Sequence, residues 1–264
     1  MQSDEVVAAG GVLSLSGVSR SFAGLRAVDD VSFTVEPGRI TGLIGPNGAG
    51  KTTLFNAICG ELAPDHGNIR LDGHPIAGLP PHRIFAAGLA RTFQIARPFA
   101  RLSVRDNVML AAKNQPGERF WNNWLRRGAV AATERRLRAE ADAILEFCNL
   151  ARVADQPAGA ISGGQQKLVE LARALMSRPR IVLLDEPGAG VNPALLEIIT
   201  DRIAELNRRG MTFLIIEHNM DFITALADRL VVMAAGRKIA EGPPTEIMAR
   251  DDVIDAYLGG EAAA

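Results

Sequence analysis

One segment constrains this chain more than any other: Gly45-Pro46-Asn47-Gly48-Ala49-Gly50-Lys51-Thr52-Thr53. From Gly45 to Thr52 it fits the pattern G-x-x-x-x-G-K-[ST], between a short apolar run, Ile40 to Ile44, and a stretch from Lys51 to Cys59 that reads as a helix. Glycine lets a backbone fold closely around phosphate, so the amides of Gly45, Asn47, Gly48 and Gly50 can point inward. The positive end of the following helix faces the same anion. In this pattern Lys51 reaches the β- and γ-phosphates, Thr52 offers its hydroxyl to Mg²⁺, and Thr53 adds a phosphate hydrogen bond. A glycine-rich turn that merely caps a helix is the bland alternative. The strand before and the helix after weigh against it.

A second apolar run, Ile181 to Leu184, ends in Asp185-Glu186-Pro187. Adjacent carboxylates at the tip of a buried strand are costly unless they meet a cation or hydrogen-bond donors. Ligands of open α/β sheets gather beyond the carboxyl ends of the strands. Asp185 is so placed to hold a Mg²⁺ shell, and Glu186 to polarise an attacking water as general base.

The rest of the chain supports a folded α/β protein. Its 264 residues are ample for a buried core, and 47% hydrophobic against 22% charged is an ordinary globular balance. A net charge of -1 gives no electrostatic case for nucleic acid. Cys59 and Cys148 lack a metal-ligand spacing and read as core thiols of a reducing compartment, and His66, His74 and His82 read as structural or exposed. No run approaches the roughly 20 apolar residues of a membrane helix, and the N-terminus lacks a signal pattern, so membrane association is expected only through a partner. Residues 12 to 35 read as antiparallel strands, with Val31, Phe33 and Val35 alternating with Ser32 and Thr34. Helices are expected over Glu134 to Cys148, Ala194 to Arg208 and Asp251 to Leu258, and a hairpin over Arg229 to Ala240 turning near Gly236. Strands alternating with helices after Ser162 predict a mainly parallel sheet covered by helices.

Ile161-Ser162-Gly163-Gly164-Gln165-Gln166, at the start of a helix, reads first as an S-x-x-Q capping box. The order phosphate loop, Ser-Gly-Gly-Gln, Leu-Leu-Asp-Glu-Pro also resembles the ATP-binding cassette ATPases, over almost the whole chain. The resemblance implies a P-loop NTPase (RecA-like) core, an N-terminal antiparallel β subdomain and an α-helical subdomain. It divides the chain into 11–94 and 163–240 for the two parts of the core, 95–162 for the helical part and 241–264 for a C-terminal helix and tail. It implies that two cassettes close head to tail over two ATP molecules. Ser162, Gly163, Gly164 and Gln165 of one then meet the nucleotide on the loop of the other. It carries further roles onto Gln94 (Mg²⁺ and lytic water), His218 (a switch touching the γ-phosphate) and Phe22 (stacking on adenine), though a core phenylalanine reads the same. The chain departs from the family at Gly188-Ala189-Gly190-Val191-Asn192, where Asn192 can hydrogen-bond across the interface but carries no charge.

Arg91-Thr92-Phe93-Gln94, Ala189 to Pro193 and Val253 to Gly259 look like the ATPase subunits of bacterial branched-chain amino acid importers. That resemblance implies a peripheral subunit on the cytoplasmic face of the inner membrane. Its partners are permease subunits, a second cassette of the same or a sister chain and, indirectly, a periplasmic binding protein, with no nucleic acid. Phe120, Trp121 and Trp124 in the stretch 114–130 fit either a permease dock or an inserted packed helix. Two other readings stay open: a cassette for another cargo, such as urea, amides or lipopolysaccharide, and a soluble cassette of translation or DNA repair. The chain has one cassette and no heptad tract, which disfavours the soluble reading. The intact Lys51, Asp185, Glu186 and His218 disfavour a non-hydrolysing structural cassette.

Overall fold

Alternate residues of the apolar strands face two different cores, which explains why these strands carry no polar face. The computed structural model describes residues 10–92, 98–113 and 127–258. Its central sheet contains β3 (Ile40–Ile44), β6 (Leu89–Arg91), β7 (Ile181–Asp185), β8 (Thr212–Ile216), β9 (Arg229–Ala234) and β10 (Arg237–Gly242), in the order β10-β9-β3-β8-β7-β6. All neighbours are parallel except β10, which pairs antiparallel with β9. Leu43, Leu183, Leu214, Ile216 and Val231 enter one core, and Ile44, Val182, Leu184, Phe213, Ile215 and Val232 enter the other. A strand buried on both faces reads as a continuous hydrophobic run.

The first core lies under a four-stranded antiparallel sheet of order β2-β1-β4-β5, made of β1 (Leu13–Phe22), β2 (Leu25–Val35), β4 (His66–Leu71) and β5 (His74–Pro75). Helix α1 (Lys51–Ile58) contributes Leu54, Phe55, Ala57 and Ile58 to the same core. The antiparallel pair expected at 12 to 35 is present. The chain returns after α1 to complete that sheet with β4 and β5. Of the six residues of β4, only Ile69 and Leu71 are buried, so its sequence carries almost no strand signal.

The second core is roofed by helices. After α2 (Pro81–Ala87) come α3 (Val104–Met109), α4 (Arg127–Phe147) and α5 (Gly163–Met176), and these three pack on one another. Leu137, Ala141, Ile144, Leu145 and Cys148 are buried as their spacing predicts, and Arg135, Arg136 and Arg138 are exposed. The helix begins well before Glu134, where Ala129, Ala131 and Ala132 favour it, no proline breaks it, and Gly128 sits within its first turn. Then follow α6 (Pro193–Arg208), α7 (Met220–Leu226), α8 (Pro244–Ile247) and α9 (Asp251–Leu258). The expected hairpin turns at Ala235 and Gly236, both left-handed at φ 46° and 79°, the requirement of a tight two-residue connection. Cys59 and Cys148 are buried free thiols, and burial pushes both up to about 12. Among the described residues no helix is long and apolar enough to cross a membrane.

Candidate active site

Strands β3, β8 and β7 lie side by side and end at one edge of the sheet. That topology brings together the loop after β3, the Glu217-His218 step after β8 and the Asp185-Glu186 tip of β7. A cavity of about 490 Å³ opens there, lined by the loop from Asn47 to Thr53, by Glu186 and His218, by Leu25 to Ala27 and by Ala235 and Gly236.

The loop owes its shape to two crowded glycines. Gly45 sits at φ 147°, and a Cβ there would lie 2.0 Å from the Met233 carbonyl oxygen. Gly50, at φ 95°, would put a Cβ 2.1 Å from the Ala27 carbonyl oxygen. At Gly50 a side chain would also have to adopt a backbone conformation L-residues avoid. No side chain caps the start of α1, so its first-turn amides stay available to an anion. The Lys51 ammonium donates to the carbonyl oxygens of Gly45 (2.7 Å) and Pro46 (2.9 Å), so it lies along the loop with its charge inside the ring. Burial pulls Lys51 below the ordinary lysine range, and the carboxylates of Glu186 and Asp185 oppose that pull. Thr52 is exposed to the cavity and Thr53 half-buried in its wall.

Asp185 is only 4% exposed and does not stand unpaired. Arg91, at the end of β6, donates from Nη2 to Asp185 Oδ2 at 2.8 Å and from Nη1 to Asn56 Oδ1 at 2.6 Å. Arg91 therefore joins β7, α1 and the sheet edge at one point. The sequence reading placed Arg91 only in a family motif, and its partners lie 35 and 94 residues away. Removing one partner of a buried pair strands the other charge, so Arg91→Gln is expected to lower unfolding free energy by about 3–5 kcal/mol in denaturant titration. The Thr52 hydroxyl and the Asp185 carboxylate form an all-oxygen donor set, which suits Mg²⁺ held together with phosphate and water. Among the described residues no group of three or more His, Cys, Asp or Glu side chains forms a metal cage.

Glu186 and His218 meet directly. His218 Nε2 lies 3.0 Å from Glu186 Oε1. Glu186 holds a left-handed backbone at φ 49°, uncommon for a non-glycine residue and costly unless the surroundings enforce it. The sequence reading also missed Glu217, 2% exposed, whose Oε2 accepts the amides of His218 (2.7 Å) and Asn219 (3.0 Å) and whose Oε1 accepts the amide of Gly188 (2.8 Å). A glutamate closing an apolar strand was its only signal.

The capping box is present in full. Ser162 Oγ accepts the Gln165 amide, and Gln165 Oε1 accepts the Ser162 amide at 3.0 Å. Gly163 faces open space, and Gly164 packs against Leu195 of α6. None of Ser162, Gly163, Gly164 and Gln165 lines the loop cavity. Phe22 is 42% exposed at the tip of β1, with the Arg20 guanidinium 5.0 Å over its ring. It is not among the cavity-lining residues, whereas Leu25, Arg26 and Ala27 just beyond the turn are. Asn192 caps α6, its Oδ1 accepting the Leu195 amide at 2.9 Å, which leaves its amide N–H groups as donors. Gln94 and the aromatics Phe120, Trp121 and Trp124 lie outside the described residues, as does Gly259.

Strand, glycine loop and helix, with carboxylates on a strand two places along the sheet, define a P-loop nucleotide-binding cassette. The family model described as "ABC transporter" matches residues 28–189, and the chain belongs to that ATP-binding cassette family. A second family model, "Branched-chain amino acid ATP-binding cassette transporter", matches residues 237–263. The chain is similar to the high-affinity branched-chain amino acid transport ATP-binding protein BraF of Pseudomonas aeruginosa, at 41% identity over 94% of this chain and 98% of that protein. It is also similar to the probable branched-chain amino acid transport ATP-binding protein LivG of Archaeoglobus fulgidus, at 39% identity over 95% of this chain and 96% of that protein. Among solved structures, the ADP conformation of an ATP-binding cassette of an ABC transporter aligns with a TM-score of 0.81 and 35% identity, over 94% of this chain and 99% of that one.

Proposed function

We propose that this chain is the ATP-hydrolysing subunit of an importer for branched-chain, or similarly hydrophobic, amino acids. The observation that carries the reading is the cavity itself, where Lys51, Thr52, Glu186 and His218 line one wall system while the Ser162 segment is absent from it. Each chain then offers two half-sites. The loop amides of Gly45, Asn47, Gly48 and Gly50, with Lys51 and Thr53, hold the β- and γ-phosphates. Ser162, Gly163, Gly164 and Gln165 of a second cassette cover the γ-phosphate from the opposite side, at the positive end of a helix whose capping box engages the Ser162 and Gln165 amides.

Glu186 orients and deprotonates the attacking water, and His218, already in contact with Glu186, follows the γ-phosphate. Thr52, Asp185 and Gln94 would hold Mg²⁺, which supplies charge neutralisation on the phosphate oxygens. Within Asp185, Arg91 engages Oδ2, and among the described residues Oδ1 accepts no hydrogen bond, leaving an oxygen for that shell. Phe22 stands at the tip of the antiparallel sheet, beside the Leu25–Ala27 wall where an adenine would rest. The division into a core of 11–94 and 163–240, a helical part of 95–162 and a tail of 241–264 belongs to the same reading. Closure of two cassettes, hydrolysis and reopening would drive attached permeases between outward and inward states, fed by a periplasmic binding protein. The chain would sit at the cytoplasmic face of the membrane.

The names of the relatives support the cargo. No side chain of this chain is expected to touch it, so the test is transport. Membrane vesicles carrying the chain with its permeases are expected to take up leucine, isoleucine or valine only with ATP. Uptake of urea or short amides, with none of leucine, would assign another cargo.

A further inference from the structure

The short segment Glu186 to Ala189 is gripped from two sides, by Lys167 and by Glu217. From the start of α5, five residues after Ser162, the Lys167 ammonium donates to the carbonyl oxygens of Glu186 (2.9 Å), Pro187 (3.3 Å) and Ala189 (2.5 Å). All three N–H groups of the ammonium are engaged, and all three acceptors belong to this one segment. From the end of β8, Glu217 accepts the Gly188 amide and, with its other oxygen, the amides of His218 and Asn219. A Cβ on Gly188 would come within 2.8 Å of Glu217 Oε1, so only glycine lets that carboxylate close on the backbone without a shift. The first residue of the gripped segment is Glu186, whose left-handed backbone needs external support. Neither grip follows from the capping box, which uses Ser162 and Gln165 alone.

We propose that Lys167 and Glu217 are positioning residues that hold the strap 186–189 between helix α5, which starts after Ser162, and strand β8, which leads to His218. Through this strap, contact of the Ser162 end with one nucleotide sets the Glu186 carboxylate that acts on the other. The inference rests on the reading of Glu186 as the base. In a head-to-tail pair, the Ser162 end of a chain meets the partner's nucleotide while Glu186 of the same chain serves its own loop. The ammonium of Lys167 is the direct link between the two within a single subunit. Glu217 carries the same strap to His218, so the switch histidine and the base move as one unit. Burial pulls the Lys167 ammonium below the ordinary lysine range, and the carboxylates of Glu217 and Glu186 oppose that pull.

The test uses the full-length chain in its active pair. Lys167→Met is expected to lower kcat about 10- to 100-fold with KM for ATP within about twofold, because the base is misplaced while nucleotide binding is kept. Lys167→Arg restores most of the rate. Lys167→Met combined with Glu186→Gln still forms an ATP-trapped closed pair on size exclusion. Gly188→Ala, which pushes Glu217 away from the strap, gives the same kcat-selective loss and covers the case in which Lys167→Met fails to fold. A wild-type kcat in Lys167→Met overturns the proposal. So does a fall in kcat matched by a rise in KM and loss of the trapped pair, which would mean that Lys167 only supports the helix. Wild-type turnover in Glu186→Gln alone would instead overturn the reading of the base.

Discussion

Replacing Glu186 with glutamine is expected to leave ATP binding intact, to accumulate a closed ATP-bound pair and to cut turnover by about 10²- to 10⁴-fold, the range of a lost general base. The amide keeps the size of the carboxylate and can still accept from His218, so the 3.0 Å contact survives in form. It cannot take a proton from water. Because the strap is held by the backbone carbonyl of residue 186 and not by its side chain, the substitution leaves the Lys167 grip in place. The effect should therefore fall on kcat alone. Single-turnover hydrolysis and a nucleotide-binding titration on the same preparation separate the two quantities.

Lys51→Met is expected to act earlier, on binding. Lys51 is buried at the loop with two carbonyl partners of its own backbone and with Asp185 and Glu186 as nearby negative charges. Methionine fills the volume but supplies no donor and no charge. The phosphates then lose one or two charge-assisted hydrogen bonds, each worth about 1.5–3 kcal/mol, which is at least about a tenfold loss of ATP affinity. The two acidic residues also face the phosphates without the cation that stands between them. Adenosine, which lacks phosphate, should bind the variant and the parent alike in equilibrium dialysis. A variant that binds ATP normally would remove Lys51 from the phosphate site.

The parts of the site that could be read from the sequence are those in which neighbours in the chain are neighbours in the chemistry. The loop from Gly45 to Thr53 is one such segment, and the capping box from Ser162 to Gln165 is another, since its hydrogen bonds span three residues. The buried strands β7 and β8 were legible because both faces are apolar. Contacts made only by folding were not. Arg91 meets Asp185 across 94 residues, and Glu217 meets Gly188 across 29. Lys167 lies about twenty residues from its carbonyl partners, on the far side of β7. Strand β4 escaped notice for a different reason, since two buried side chains, Ile69 and Leu71, are too short an alternation to mark a strand. Phe22 stands across the β1–β2 turn from Leu25, and the cavity wall at that point is built from Leu25 to Ala27.

The central claim is that this chain holds two half-sites and no complete one. Its most direct test is the ATPase rate per chain measured against chain concentration, with light scattering on the same samples to count monomers. The claim predicts negligible turnover in the monomer. The rate per chain should rise with the fraction of pairs, or appear only when a sister cassette and the permeases are added. Full turnover by a monomer, constant per chain across dilution, would contradict it.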